Sequence, residues 1–262
     1  MNLSEAQKPI QLTPRCWYGL SLGNLNLSIM KQKTEFQVSV SYQKNNLKPL
    51  CKSLSKLENK PVLGMVKERL YFVNDKGGLF ITLQLADKPY QVNPAALIKI
   101  APKGKIVLYV STPLWVQLKA ENSKKVQAEY PTVRPRLSWV GSTTTEGMLC
   151  YSTKVEAPSV IEDIEVHSHR ALTALEVIND GETVLEIDRL SLPVKILNLF
   201  YSPRMGFWTE SVRYRVDPDS GEMSVVAGKK PPEDIGEYTK VTNARDRNRS
   251  SRFKTAMNIL MG

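Results

Sequence analysis

The sequence has little of what most chemistry needs. Histidine occurs twice, at His167 and His169, and cysteine three times, at Cys16, Cys51 and Cys150. The cysteines are far apart, odd in number and form no CxxC pair, so they outline neither a disulfide framework nor a zinc site. They read as reduced thiols, which predicts a cytoplasmic protein. No apolar run approaches the roughly twenty residues of a membrane-spanning helix. The opening MNLSEAQKPIQL lacks the basic-then-apolar pattern of a secretory signal. There is no GxxxxGK(S/T) loop and no GxGxxG to cradle a phosphate. No GxSxG elbow surrounds Cys150 or Ser152. Carboxylates are plentiful, yet none is marked as an acid–base pair. These absences make an enzyme the less favoured class. No repeat with a period of roughly twenty to fifty residues is visible, which argues against a solenoid or propeller.

What is present is a globular composition: 262 residues, 42% hydrophobic and 24% charged. That is enough chain for one large β domain or two ordinary ones. The net charge of +10 is uneven, with residues 1–130 holding 19 Lys and Arg against 8 Asp and Glu, and residues 131–262 holding 17 against 18. A basic half can face nucleic acid, an anionic membrane surface or an acidic partner. The plainer reading, favoured here, is that its lysines solubilise sheet faces and protect strand edges.

Alternation dominates the pattern. Residues 169–192 read HRALTALEVINDGETVLEIDRLSL. Leu175 and Val177, then Leu185 and Ile187, alternate with polar residues on either side of Asn179-Asp180-Gly181, which predicts an antiparallel hairpin. Pro193 ends that run, and 194–201 and 207–216 read as further strands. Upstream, 18–29 alternates with a phase shift at Gly23-Asn24, the mark of a turn or bulge. Strands are predicted over 35–42, 79–85, 97–100, 106–110, 114–118, 137–140 and 148–155, with a hairpin around Pro102-Lys103-Gly104. Residues 62–73 read as a strand pair turning at Lys67-Glu68. Residues 1–15 read as a poorly ordered or loosely docked arm, 47–57 as a short helix or irregular chain, and 225–238 as loop. The polar stretch 121–125 is the best linker and divides a lysine-rich region, 1–120, from a second region, 126–262. The expected fold is all-β: one or two antiparallel sandwiches, closed by a short amphipathic helix at the C-terminus.

That terminal helix is predicted from Phe253, Met257 and Leu260, which fall on one stripe after a serine cap. Arg245, Arg247, Arg249, Arg252 and Lys254 stand upstream of it or on its polar side. Such a segment docks on its own domain, lies on anionic lipid at the inner face of the membrane, or enters a partner's groove.

Two constellations remain. Glu165, His167 and His169 share parity, so on a strand they would point the same way and offer a divalent metal a Glu-x-His-x-His face. The plainer alternative is an ordinary exposed strand, and no fourth ligand is identifiable. Arg136, Trp139, Tyr151, Arg170, Trp208 and Glu210 could line an aromatic and basic groove. Aromatics of this kind more often fill the space between sheets.

The runs RLSWVGSTTTEGMLCYSTKVEA, HRALTALEVIND, LSLPVKILNLFY and GFWTESV, with KIVLYVSTPLWVQL before them, resemble a prokaryotic family known as domain of unknown function four-three-two. The similarity runs mainly over residues 79–216. Its recognisable positions include Trp139, Gly141, Gly147, Tyr151, His169, Arg170, Trp208 and Glu210. Members are often encoded beside small mechanosensitive channels or fused to them. The resemblance therefore implies a soluble companion of a membrane channel, and it carries over no catalytic residues. The leading expectation is a non-enzymatic binding or regulatory protein. A metal-dependent enzyme or binder at the histidines, and a nucleic-acid binder using the lysine-rich half, are the alternatives.

Overall fold

The structure is a computed structural model that describes residues 8–43, 50–59, 61, 68–71, 77–121, 123–141, 147–218 and 223–246. In chain order the strands are β1 (Trp17–Gly23), β2 (Leu25–Lys31), β3 (Glu35–Tyr42), β4 (Leu50–Lys56), β5 (Glu68–Tyr71), β6 (Leu79–Gln84) and β7 (Tyr90–Pro94). They continue as β8 (Ile98–Ile100), β9 (Lys105–Pro113), β10 (Trp115–Ala120), β11 (Ala128–Pro131), β12 (Arg136–Gly141), β13 (Gly147–Val155) and β14 (Arg170–Asn179). The last are β15 (Leu185–Ile187), β16 (Leu190–Leu192), β17 (Leu199–Ser202), β18 (Gly206–Trp208), β19 (Val212–Val216), β20 (Met223–Ala227) and β21 (Thr239–Thr242). Helix among the described residues is limited to three single 3-10 turns, at Ile161–Asp163, Val194–Ile196 and Glu233–Ile235. The fold is all-β, as the alternation predicts.

Contacts divide the chain into two compact units: Met1–Gln84 with Pro113–Arg134, and Leu85–Thr112 with Pro135–Gly262. Residues 121–125, expected as a linker, belong to the connection between the antiparallel strands β10 and β11 within the first unit.

The first unit contains a five-stranded sheet, β4-β1-β2-β3-β5, and a three-stranded one, β11-β10-β6. The phase shift at Gly23-Asn24 is the β1–β2 turn: Leu22 faces Leu25 across it, and Gly23 takes a φ of 62° that a side chain would disfavour. Leu25, Leu27 and Ile29 alternate on β2 and are buried, opposite Val40 and Val38 of β3. Each contributes roughly 1.5–3 kcal/mol by leaving water. Residues 47–57 include a strand, β4, because backbone pairing with β1 completes what a weak apolar pattern does not signal. The N-terminal arm is docked from residue 8 onward: Ile10 bridges to Leu79 and Leu12 is buried. Glu68, expected in a turn, opens β5, which pairs with β3; residues 62–67 lie outside the described set.

The second unit holds a four-stranded sheet, β12-β13-β7-β16, a seven-stranded sheet in which β20-β19-β14-β18-β17-β21 are joined by β9 pairing with β14, and the pair β15-β8. The expected hairpin over 169–192 does not form. β14 pairs with β19, β18 and β9, whereas β15 pairs with β8. The expected 97–110 hairpin is opened in the same way, so the two turns exchange strands. Asn179 holds them together. Its Nδ2 donates to the carbonyls of Ile100 (3.1 Å), Ala101 (3.1 Å) and Thr183 (2.8 Å), and its Oδ1 accepts from the Gly181 N–H at 3.1 Å. Lys103 Nζ adds a bond to the Asp180 carbonyl at 2.7 Å.

The predicted 207–216 strand is interrupted. Ala171 faces Phe207 and Leu172 faces Trp208, but Leu175 faces Val212, so one extra residue enters beside β14 between Trp208 and Val212. A bulge of this kind re-aims a side chain. Here it accompanies a Glu210 side chain that is fully buried. Residues 194–196 form a 3-10 turn rather than strand, and residues 225–227, the start of the expected 225–238 loop, belong to β20, an edge strand on β19. Parallel pairing, which the expectation of antiparallel sheets did not include, joins β13 to β7 and β14 to both β18 and β19.

Candidate functional site

The residues singled out from sequence do not converge on one groove. Trp208 is a core residue, with no exposed surface. It packs with Tyr109, Leu172, Ala174 and Ile235, meets the Tyr109 ring edge-on at 6.0 Å, and donates its indole N–H to the Met205 carbonyl at 2.8 Å. Glu210 accepts from the Asn198 backbone N–H at 2.6 Å and from the Asn198 side-chain amide. Asn198 in turn accepts from the Ala244 N–H at 2.9 Å, so this network ties the last described segment to the unit. Tyr151 is buried and donates its hydroxyl to Asp87 Oδ1 at 2.8 Å. Burial opposes ionisation of Asp87, but hydrogen bonds from Lys88 and Tyr151 outweigh it and hold the carboxyl below its usual range. These three side chains belong to the framework.

Glu165, His167 and His169 lie in the loop before β14, not on a strand, so shared parity does not align them. His167 Nε2 stands 3.5 Å from Glu165 Oε2, and the two imidazole rings are 5.3 Å apart. Among the described residues, no three His, Cys, Asp or Glu side chains are grouped to hold a metal ion. His169 is buried, and burial, with Arg170 and His167 adding to it, pushes its pKa down to about 4. A histidine buried in its neutral form stabilises the fold fully above its unfolded value, near 6.5, and loses that contribution as pH falls through 4. The unfolding free energy of His169→Gln is therefore expected to fall less than that of the wild type between pH 6.5 and 4. Parallel urea titrations at the two pH values check this.

Arg170 differs from the framework residues. Its Nε donates to Ser111 Oγ at 2.8 Å, and its Nη2 donates to the Ser111 carbonyl at 2.6 Å and to Thr153 Oγ1 at 3.1 Å. β9 and β13 thus clamp one edge of the guanidinium. Burial pushes its pKa down, and the Tyr90 hydroxyl acts in the opposite sense.

The other distinctive feature is a face of β12 and β13. Trp139 stands directly opposite Leu149, with Leu137 two residues along on the same side of the strand. Their exposures are 46%, 44% and 64%, and β12 is the outermost described strand of its sheet. On the opposite side of the same strands, Cys150 is buried and Ser138 bonds to Gln91 at 3.2 Å. The Cys150 thiol is pushed up by burial, away from the thiolate form a nucleophile needs. The sequence marks Trp139 as a candidate and places 137–140 and 148–155 on strands, but it singles out neither Leu137 nor Leu149.

Arg136 is exposed at the start of β12. Arg245 donates Nε to the Leu85 carbonyl at 2.7 Å and is partly buried. Arg247, Arg249, Arg252, Phe253, Lys254, Met257 and Leu260, with the helix expected there, lie outside the described residues. In the first unit, Lys52 and Lys56 line the edge strand β4 and are exposed, where charge deters edge pairing. Lys31 is buried and donates to the Gly77 carbonyl at 2.9 Å. No helix among the described residues is long and apolar enough to cross a membrane.

No curated protein and no solved structure matches the chain. A family model described as protein of unknown function (DUF432) does match, over residues 8–261, and the chain belongs to that family.

Proposed function

We propose that the protein is a non-enzymatic binding module that engages a protein partner through the β12–β13 face. The observation that carries this reading is the exposure of Leu137, Trp139 and Leu149 as adjoining apolar side chains at a sheet edge. Single exposed apolar residues are ordinary, but an adjoining group with a tryptophan is the composition of an interface core. An edge strand adds main-chain donors and acceptors that an extended partner segment can pair with. The partner class proposed is the soluble portion of a small mechanosensitive channel, following the association the family resemblance implies.

The test uses purified full-length protein and a small mechanosensitive channel from the same organism in detergent. Wild type is expected to be retained by the immobilised channel. The double exchange Leu137→Ser and Trp139→Ser is expected to reduce retention at least about tenfold, since buried interface aromatics commonly carry about 2 kcal/mol or more. Its thermal midpoint should barely move, because exposed positions contribute within about 0.5 kcal/mol to folding. Equal retention of both proteins would refute the face as the contact, and no retention of wild type would refute the channel.

A further inference from the structure

The exposed side chains of the β12–β13 face share their side of the sheet with a covered one. Residues two apart on a strand point the same way, so Tyr151 stands beside Leu149 on β13, and it pairs with Leu137 of β12. Unlike those two neighbours, Tyr151 is buried. Its cover includes the chain entering β7. The Tyr151 hydroxyl donates to Asp87 Oδ1 at 2.8 Å, and the Lys88 ammonium stands 5.3 Å from the centre of its ring. Cover on this side therefore stops at Tyr151, and the exposed apolar group begins next to it.

The last described segment arrives at the same place. Arg245 Nε donates at 2.7 Å to the carbonyl of Leu85, which precedes Asp87 by two positions. The Ala244 N–H donates to Asn198 Oδ1 and the Asp246 N–H to the Lys195 carbonyl, each at 2.9 Å, so the chain is held in this unit as far as 246. Residues 247–262 follow. The stretch from 246 to Phe253 extends to about 24 Å. The path from Leu85 past Asp87, Tyr151 and Leu137 to Trp139 is of the same order, about 25 Å in residue lengths and strand spacings.

The sequence of that tail carries what the face offers to bind. Phe253, Met257 and Leu260 make one apolar stripe at helical spacing, about 10 Å from first to last. Leu137 and Trp139 are about 7 Å apart along β12, and Leu149 stands about 5 Å across, so stripe and face are of one size. A segment of the same chain is present at the face at an effective concentration on the order of millimolar. A separate partner at micromolar concentration has to overcome that advantage.

We propose that residues 247–262 dock on the β12–β13 face of their own chain, laying Phe253, Met257 and Leu260 over Leu137, Trp139 and Leu149, and withhold the face from its partner. The withholding rests on the reading of this face as a partner surface; the docking does not.

The docking is tested on the full chain without a channel. The readout is the indole 15N–1H signal of Trp139, assigned as the one of four tryptophan signals lost in Trp139→Phe. The double exchange Phe253→Ser and Met257→Ser is expected to shift that signal equally at low and high protein concentration. The signals of Trp17, Trp115 and Trp208 should stay in place, and that of the core residue Trp208 reports that the variant is folded. An unmoved Trp139 signal would overturn the docking. So would a shift that depends on protein concentration, which would give the face to a second copy. The withholding is tested on the immobilised channel. The same variant is expected to be retained about tenfold more strongly than the wild type, the factor for a face covered about nine-tenths of the time. Equal retention of the two would overturn the withholding. Retention of neither, with the Trp139 signal still responding to the tail, would refute the channel and uphold the docking.

Discussion

Replacing Trp208 by alanine is expected to lower the unfolding free energy of its unit by about 3–5 kcal/mol, the range for removing a large buried aromatic. The side chain has no exposed surface and stands at the centre of the cluster formed with Tyr109, Leu172, Ala174 and Ile235. The loss has two parts that can be separated. Trp208→Phe keeps most of the packing but removes the indole N–H that the Met205 carbonyl accepts. It should lower stability by about 1–2 kcal/mol through that bond and the smaller ring. Equilibrium urea unfolding of the three proteins gives both differences. If alanine lowered stability by less than the phenylalanine range, Trp208 would be a surface or ligand-facing residue, and the core described here would be wrong.

Asn179→Ala is expected to lower stability by about 3 kcal/mol, because it withdraws the amide from three carbonyls and the acceptor from the Gly181 N–H at once. Asn179→Asp is the more telling exchange. In an ordinary tight turn Asn and Asp are close to interchangeable. At this position Asp keeps the acceptor for Gly181 but sets a carboxylate against the carbonyls of Ile100, Ala101 and Thr183. It should be at least as damaging as alanine at neutral pH. A well-tolerated Asp would mean that the residue shapes its own turn and does not join two of them.

Asn179 also marks where local sequence pattern ceases to specify pairing. Alternation assigns Leu175, Val177, Leu185 and Ile187 to strands with buried side chains, and the structure has them so. The Asn179-Asp180-Gly181 turn between them is equally local. The two adjacent strands nevertheless do not pair as a hairpin. Adjacent strands usually pair, and the exception here depends on an amide reaching carbonyls 78 and 79 positions away in sequence. Nothing in a local window marks that reach. The extra residue between Trp208 and Val212 is similar: the run 207–216 alternates well enough to read as one strand, and only the register against β14 exposes the bulge. Isolated 3-10 turns such as Val194–Ile196 leave no periodic signal at all.

The candidate site divides along the same line. Residue type marks Trp139 as a candidate but does not decide its exposure, since Trp208 shares the type and is buried. Glu165, His167 and His169 were grouped by parity, a rule that holds only on a strand, and the chain there is a loop. The sequence offers Arg170 as one member of a groove. Its clamp by Ser111 and Thr153 comes from residues 59 and 17 positions away.

By itself the sequence determined the fold class and most strand positions, because alternation and turn chemistry act over a few residues. Tertiary structure alone decided which strands meet, where one extra residue turns Glu210 inward, and which of two tryptophans is exposed. Those outcomes arise from hydrogen bonds between distant segments, and they have no local pattern to announce them.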